Sequence, residues 1–520
     1  MSGLLKKRAW LGGAALVAAF TVVACGDDDG GGDDTTAGKA GGGAGGKAGA
    51  PAGGSAGSSA TAGNSTAGSS SAGSAGKGGT STTEGGMAGS DAGSGGQAGE
   101  PPGPGGAGGD GGDGGGGGEG GEDLKDVVRA TFAGMSPLPA VPADPTNAFA
   151  DSAAAAALGQ RLFFDEKFSG ALTADSDLGT TGDTQKVSCK SCHDGAALDD
   201  TRSNPDTVSK GTGLHTRNSP PLANSSYYTW TNWGGRFSAQ WELPLAVAEN
   251  GAIMNGNRLA IAHRIFDVYK NDYEAVFGTM TAAIGTDAAR FPATGKPTVA
   301  AFDGMAADDK VIINRILVNY SKAIAAYMRK LVSPEAAFDK FMDGDDAALT
   351  LEQQRGALVF SKSGCKECHS GPTFSDQTFH DLGVPQTGLN NIPAADDGRF
   401  KDTPGLLASA FNRDGIYSDK TDTGKLQTIP AVLPDDWKGR FRTPSLREVA
   451  LTAPYMHSGQ FATLSDVIDF YKAGGNADTA VGQLVAFTIT DQEKADLIAF
   501  LGALNGKAVP AALLLDTAAP

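Results

Sequence analysis

Two short stretches, Cys189-Lys190-Ser191-Cys192-His193 and Cys365-Lys366-Glu367-Cys368-His369, decide how this 520-residue sequence folds. Each has two cysteines three positions apart and a histidine directly after the second. Two thiols at this spacing reach the two vinyl groups of one haem while the adjacent imidazole reaches the iron. A single copy could be a thiol redox pair or half a zinc site. Two copies favour two covalently bound c-type haems, with His193 and His369 as proximal iron ligands.

The fifth cysteine lies near the amino terminus. Residues 1–24 have a basic start followed by a mostly apolar run, which is the pattern of a secretory signal. The stretch Val22-Val23-Ala24-Cys25-Gly26 resembles a bacterial lipobox, which implies cleavage before Cys25 and lipid attachment to it. We expect an exported protein on the periplasmic side, held to a bacterial membrane by this lipid anchor only. A plain signal peptide is the alternative.

The next segment, residues 25–122, consists mainly of Gly, Ala, Ser and Asp. It has too few large apolar residues to offset the entropy of ordering, so we expect a disordered low-complexity tether. The whole chain carries 59 acidic and 42 basic residues, a formal net charge of −17. This charge disfavours nucleic-acid binding and is compatible with a basic redox partner.

The rest of the chain is predicted to be all-α. Apolar residues recur at helical spacing over 311–331, and Ser333-Pro334 should end that helix. Thr350, Thr463 and Thr490 each stand three residues before a Gln, Asp or Glu, a spacing typical of helix starts. The predicted fold is two tandem cytochrome c-like haem domains with long loops, a first one over 123–333 and a second one over 334–520.

The segments around the two motifs resemble those of the bacterial dihaem cytochrome c peroxidases and their MauG-like relatives. The similarity runs from about residue 155 to 505, and the ordered series is more specific than any one segment. In chain order the matching segments are Leu158–Asp165, Arg217–Pro220, Trp233-Gly234-Gly235-Arg236, Gly398–Lys401, Arg442–Arg447 and Leu451–Gly459.

The resemblance implies a division of labour between the haems. The second haem, on His369, would take electrons from a donor, and the first, on His193, would bind peroxide. Trp233 would lie between the haems and assist electron transfer, although a packed core aromatic is the alternative. Arg236 belongs to the implied haem-binding set.

The resemblance also implies a calcium ion between the two domains. Its ligands would be the side chain of Asn218 and the backbone carbonyls of Thr452 and Pro454. Hard oxygen ligands of this kind suit calcium.

The sixth ligand of the second haem separates the peroxidases from the MauG-like proteins. At the position where the peroxidases have methionine this chain has Tyr471, and the MauG-like proteins are similar in using tyrosine. A phenolate ligand favours Fe(III), whereas methionine raises the reduction potential. A core tyrosine with an ordinary hydrogen bond is the alternative, and Met456 and His380 are rival ligands.

The sequence departs from the peroxidases near the first haem. By ungapped counting, Leu243 and Ile253 stand where the family has a glutamine and a glutamate, and neither can move a proton. Glu249 is a candidate substitute acid/base, or a surface carboxylate. In resting peroxidases of this family a histidine blocks the first haem, and this chain has Lys210 at that position. The nearby His215 could bind the iron or only line the loop.

Three functions remain open. The first is reduction of hydrogen peroxide with electrons from a small cytochrome c or cupredoxin. The second is MauG-like oxidation of a protein or organic substrate, and the third is electron transfer without enzymatic activity. The resemblance also allows a homodimer.

Overall fold

Helices and loops make up nearly all of the chain that the computed structural model describes, namely residues 123–520 apart from 201, 203–207, 387–394, 421–423 and 476–482. The predictions for the signal segment, Cys25 and the tether lie outside these residues. Little strand is present in the described part, as the sequence predicts: β1 (Phe379–His380) pairs antiparallel with β2 (Phe441–Arg442).

The α-helices of the described chain follow one another with long loops between several of them. No helix among them is both long enough and apolar enough to span a bilayer. Their bounds are α1 Leu124–Thr131, α2 Ala153–Phe164, α3 Glu242–Glu249, α4 Arg258–Val268, α5 Lys270–Phe277, α6 Ala283–Thr286, α7 Ala300–Asp303, α8 Ala307–Met328, α9 Ala337–Met342, α10 Leu351–Lys362, α11 Cys365–Cys368, α12 Arg399–Ala408, α13 Leu464–Lys472 and α14 Asp491–Gly502.

The helix starts predicted from capping residues are confirmed. Thr350, Thr463 and Thr490 are the N-caps of α10, α13 and α14, and each forms a reciprocal capping box with the side chain three residues later. The helix predicted over 311–331 is α8, which begins four residues earlier and ends three earlier. Its first turn contains Asp308 and Asp309, whose charges favour a helix amino terminus.

Two hydrophobic cores organise these helices. The first core contains buried residues of α2, α3, α4 and α8, and the second contains residues of α9, α10 and α14. Helix α1 precedes the first cysteine motif in the chain, yet its Val128 belongs to the second core, as does the adjacent Phe132. The division into domains at residue 333 stays a prediction.

The two cores share one packing feature. Helix α2 packs along α8 in the first, and α10 packs along α14 in the second. At each crossing a glycine allows close contact: a Cβ added to Gly159 would collide with the carbonyl oxygen of Ala323, and one added to Gly356 with that of Asp496. The backbones of α2 and α8, and those of α10 and α14, are therefore in close contact at these glycines. Helices α2 and α10 are the ones that precede the two cysteine motifs.

We predict that Gly159→Ala and Gly356→Ala each destabilise the haem-loaded protein by about 1–3 kcal/mol, because the added methyl group forces the helices apart. Urea unfolding followed by circular dichroism measures this. Gly502→Ala is the matched control, since it also lies in a helix but has no atom within 4 Å of the added Cβ. Equal midpoints for all three variants would contradict the role of these crossings.

Candidate haem sites

In both Cys-x-x-Cys-His motifs the histidine ring makes the same local hydrogen bond. The Nδ1 atom of His193 donates to the carbonyl oxygen of Leu198 (3.2 Å), and that of His369 donates to the carbonyl oxygen of Phe374 (2.9 Å), five residues later in both cases. Leu198 and Phe374 both have left-handed backbone conformations, with φ of 50° and 51°. Because a carbonyl can only accept, this contact puts the ring proton on Nδ1 and leaves the Nε2 lone pair for a metal ion.

Burial sets the protonation of both motifs. It lowers the pKa of His193 and of His369, so both imidazoles are neutral, the form that binds iron. It raises the pKa of Cys189 to about 12 and that of Cys365 to about 11, and no motif cysteine is in a disulfide. Unpaired cysteines at this spacing are available for covalent attachment to the vinyl groups of a haem.

A cavity of about 860 Å³ lies against the second motif. This volume falls within the roughly 300–1,000 Å³ that is usual for cofactor sites. Its wall includes Cys365, Cys368 and His369, together with Leu497 and Leu501 of α14. The second motif therefore opens onto a mostly apolar space of the size that a haem needs.

Tyr471 lies in the wall of this cavity, on α13. Burial raises the pKa of its hydroxyl, and the nearby Cys365 and Cys368 raise it further. The described residues offer this hydroxyl no hydrogen-bond partner. Tyr471 is half-buried, and a phenol in the wall of a cavity can bind a group that occupies it.

The rival ligands differ in their surroundings. Met456 also lines the cavity. His380 has its Nε2 2.7 Å from Asp376 and its Nδ1 2.8 Å from the side-chain oxygen of Gln483. Hydrogen bonds to Cys368, Asp376 and Gln483 raise the pKa of His380 to about 9. An imidazole with both nitrogens engaged by other side chains is a poor iron ligand.

Trp233 connects the second cavity with the loop that follows the first motif. The indole lines the cavity, and its Nε1 donates to the carbonyl oxygen of Asn218 (2.7 Å). The backbone carbonyl of Trp233 accepts from the amide of Arg442 (2.8 Å). These contacts hold the indole in one position between segments of the first and second halves of the chain.

Asn218 contacts the segment that contains the other predicted calcium ligands. Its backbone amide donates to the carbonyl oxygen of His457 (2.8 Å), and its Nδ2 donates to that of Pro454 (2.7 Å). The Oδ1 atom of Asn218 is buried without a hydrogen-bond partner. An unsatisfied amide oxygen close to a backbone carbonyl fits an oxygen-liganded cation such as calcium.

His457 is a buried wall residue of the cavity. Its ring stacks on Phe441 with centroids 3.7 Å apart, and its Nε2 accepts from the side-chain amide of Gln386 (2.9 Å). Burial lowers the pKa of His457 to about 3. The ring is therefore neutral at any physiological pH, and its Nε2 is engaged with a side-chain amide.

Glu249 is engaged in a buried ion pair. It is the last residue of α3, where the chain turns, and its carboxylate accepts from the backbone amide and the guanidinium of Arg258. The side chains of Arg258 and Glu249 are 6% and 14% exposed. A carboxylate whose oxygens are engaged by an arginine and a backbone amide suits an anchor of the turn better than a general acid, which must reach a bound ligand.

Other residues near the first motif have local roles. The Nδ1 atom of His215 accepts from the backbone amide of Arg217 (3.2 Å), two residues on. Leu243 lies on α3, and Ile253 lies in the turn that follows it. Neither supplies an ionisable group to the first site.

A buried ion cluster was not predicted. Arg217 pairs with Asp396 through two contacts of 2.7 Å and with Asp402 through a third. All three side chains are less than a tenth exposed. Arg217 stands in a segment that the sequence singled out, but nothing in the sequence identified its acidic partners, which lie 179 and 185 residues further along the chain.

We predict that Glu249→Gln destabilises the protein by about 1.5–3 kcal/mol, because Arg258 loses a charge-assisted partner. The rate of the spectral change with hydrogen peroxide, per folded haem, should not change. Thermal unfolding and stopped-flow absorption measure the two effects, and Glu166→Gln, at an exposed carboxylate, is the control. A large loss of peroxide reactivity at unchanged stability would restore Glu249 as the acid/base.

Comparisons with known proteins agree with this geometry. Residues 153–347 match the family model described as di-haem cytochrome c peroxidase. The chain is 34% identical over 364 residues to cytochrome-c peroxidase IdrP1 of Denitromonas iodatirespirans, covering 67% of this chain and 81% of the relative. It is 28% identical to the methylamine utilization protein MauG of Methylorubrum extorquens, covering 69% and 80%.

Solved structures share the fold. The diheme peroxidase BthA of Burkholderia thailandensis superposes with a TM-score of 0.51 at 22% identity, covering 75% of this chain and 96% of that one. The alignment with IdrP1 covers more than two thirds of that relative, and both Cys-x-x-Cys-His motifs are present. The chain therefore belongs to the dihaem cytochrome c peroxidase family, whose members include MauG and whose cofactors are two c-type haems.

Proposed function

We propose that the protein reduces hydrogen peroxide with electrons from a small redox protein, a cytochrome c or a cupredoxin. The observation that carries this proposal is the position of Trp233: its indole lines the second cavity and donates to Asn218, in the loop after the first motif. Bound haems supply the one-electron and peroxide chemistry. The protein chain attaches and orients them and controls access to each.

The motif residues have defined tasks in this proposal. Cys189 and Cys192 attach the first haem, and Cys365 and Cys368 the second. His193 and His369 bind the irons through Nε2, because their Nδ1 protons are committed to backbone carbonyls. Arg236, from the same segment as Trp233, contributes to haem binding, and the rigid indole gives electrons a short route between the halves.

Two further ligand assignments belong to the proposal. Tyr471 is the sixth ligand of the second haem; its place in the cavity wall and its proximity to Cys365 and Cys368 support this. Calcium is held by the side-chain oxygen of Asn218 and the carbonyls of Thr452 and Pro454. The unsatisfied Oδ1 of Asn218 supports the calcium assignment.

Export, anchoring and partner choice are also proposed from the sequence. A lipid on Cys25 would hold the haem domains at the periplasmic side of a membrane through the tether of residues 25–122. The net charge of −17 would favour a donor with a basic docking face. A homodimer remains compatible with this arrangement.

A second candidate is MauG-like oxidation of a protein or organic substrate. Tyr471 in the second cavity favours it, because a phenolate ligand stabilises Fe(III), and Lys210 in place of a blocking histidine favours it too. The third candidate, a membrane-tethered electron carrier, is motivated by Leu243 and Ile253, which provide no acid or base.

Stopped-flow absorption of the haem-loaded full chain separates the three candidates. We expect a fast Soret change with hydrogen peroxide in the half-reduced protein, followed by oxidation of an added reduced cytochrome c. Trp233→Phe should slow this oxidation without loss of haem, because an indole relays electrons better than a phenyl ring; Trp241→Phe, in the first core, is the control. Long-lived oxidation of the fully oxidised protein without donor turnover indicates the MauG-like function, and no reaction in either state indicates an electron carrier.

We predict that Tyr471→Met raises the midpoint potential of the second haem, because a neutral thioether replaces an anionic oxygen and no longer favours Fe(III). Potentiometric titration of the purified protein, followed in the Soret band, measures the shift. Tyr455→Phe, at another tyrosine of the cavity wall, is the control. Unchanged potentials in Tyr471→Met would exclude Tyr471 as a ligand.

A further inference from the structure

A buried tyrosine in the first core has an unsatisfied hydroxyl. Tyr320 lies in the middle of α8, in the first core, and its side chain is 1% exposed. Its hydroxyl oxygen is buried, and no described residue forms a hydrogen bond with it. An unmade hydrogen bond of this kind costs free energy, so a buried phenol without a partner requires an explanation.

Three other polar side chains of α8 have partners within the described chain. Asn319 donates to the hydroxyl of Tyr273 (2.7 Å), and Ser321 bonds with the carbonyl oxygen of Trp241. Two turns further along α8, the hydroxyl of Tyr327 donates to the carbonyl oxygen of Leu513 (2.6 Å). The fold therefore satisfies the neighbours of Tyr320 but not Tyr320 itself.

The position of Tyr320 is next to the first motif. Its ring packs edge-on against Phe168 with centroids 5.1 Å apart, and Cys189 packs against the same core. Burial raises the pKa of Tyr320, and the Cys189 sulfur is near enough to raise it further. The unsatisfied hydroxyl therefore lies in the core against which the first cysteine of the motif packs.

The two carboxyl groups of α3 already have partners within the protein. Glu249 is paired with Arg258. Glu242 is 2% exposed, and its two oxygens accept from the amide (3.1 Å) and the hydroxyl (2.5 Å) of Ser238. Leu243, the α3 residue after Glu242, is apolar and has no proton to donate. The phenol of Tyr320 is therefore a proton-bearing group near the first motif that has no protein partner among the described residues.

We propose that the Tyr320 hydroxyl donates a hydrogen bond to an anionic oxygen or small anion in the first haem pocket. This inference rests on the proposed function, since it requires a haem on Cys189 and Cys192. Two acceptors have the required chemistry: a carboxylate side chain of the haem, or a small ligand on the open face of its iron. In either case Tyr320 is a donor that positions the acceptor; it remains protonated.

Fluoride is the probe, because it is a small anion that binds ferric haem and accepts hydrogen bonds. The comparison uses haem-loaded wild type, Tyr320→Phe and Tyr327→Phe, each checked for two haems per chain. The matched control removes a phenol that is on the same helix and also near Cys189 but already has a protein partner. The readouts are the fluoride dissociation constant and the midpoint potential of the first haem.

If the acceptor is the iron ligand, Tyr320→Phe binds fluoride roughly 10-fold or more weakly, as expected for loss of a hydrogen bond to a charged group. If the acceptor is the haem carboxylate, fluoride affinity is unchanged and the midpoint potential falls, because an unshielded negative charge stabilises Fe(III). Both results support the inference. It is overturned if Tyr320→Phe matches wild type in both readouts, or if Tyr327→Phe shows the same shifts.

These readouts do not depend on turnover. A protein that binds two haems but does not reduce peroxide fails the proposed function, yet a shift confined to Tyr320→Phe would still support the inference. Normal peroxide turnover with no shift in Tyr320→Phe would leave the proposed function intact and exclude Tyr320 as the donor.

Discussion

The hydrogen bond from each motif histidine to the carbonyl five residues later is the contact on which both candidate haem sites depend. It fixes the tautomer, and so leaves Nε2 as the ring atom that can bind a metal ion. It also requires Leu198 and Phe374 to adopt a left-handed backbone conformation, which is unfavourable for bulky residues. Such a conformation persists only where the surroundings enforce it.

In both sites the enforcement comes from the hydrophobic core. Leu198 is buried in the first core, and Phe374 is fully buried in the second, within 6.4 Å of Phe132 between ring centroids. Phe132 follows α1, so the amino-terminal helix helps to hold the second site. The glycine crossings of α2 with α8 and of α10 with α14 then hold the helices that shape these cores. Core packing therefore determines the orientation of an iron ligand.

The sequence was sufficient for features that depend on local chemistry. The threonine caps of α10, α13 and α14 were predicted because a capping box is a contact between residues three apart. The haem motifs were identified because their chemistry fixes the spacing. Features that depend on distant partners were not predictable: α1 joins the second core, and Arg217 pairs with Asp396 and Asp402. The ion pair of Glu249 was also not predicted, because its partner Arg258 comes nine residues later, after a turn.

The buried ion cluster of Arg217, Asp396 and Asp402 holds the loop after the first motif against a later part of the chain. Removing three charges from water is costly, and their attraction offsets this cost only in close geometry. Once formed, such a cluster resists rearrangement, because breaking one pair leaves an unpaired buried charge. Arg217 precedes Asn218, which accepts from Trp233 and contacts Pro454. The ion cluster therefore helps to hold the loop that supports both the indole and the proposed calcium ligands.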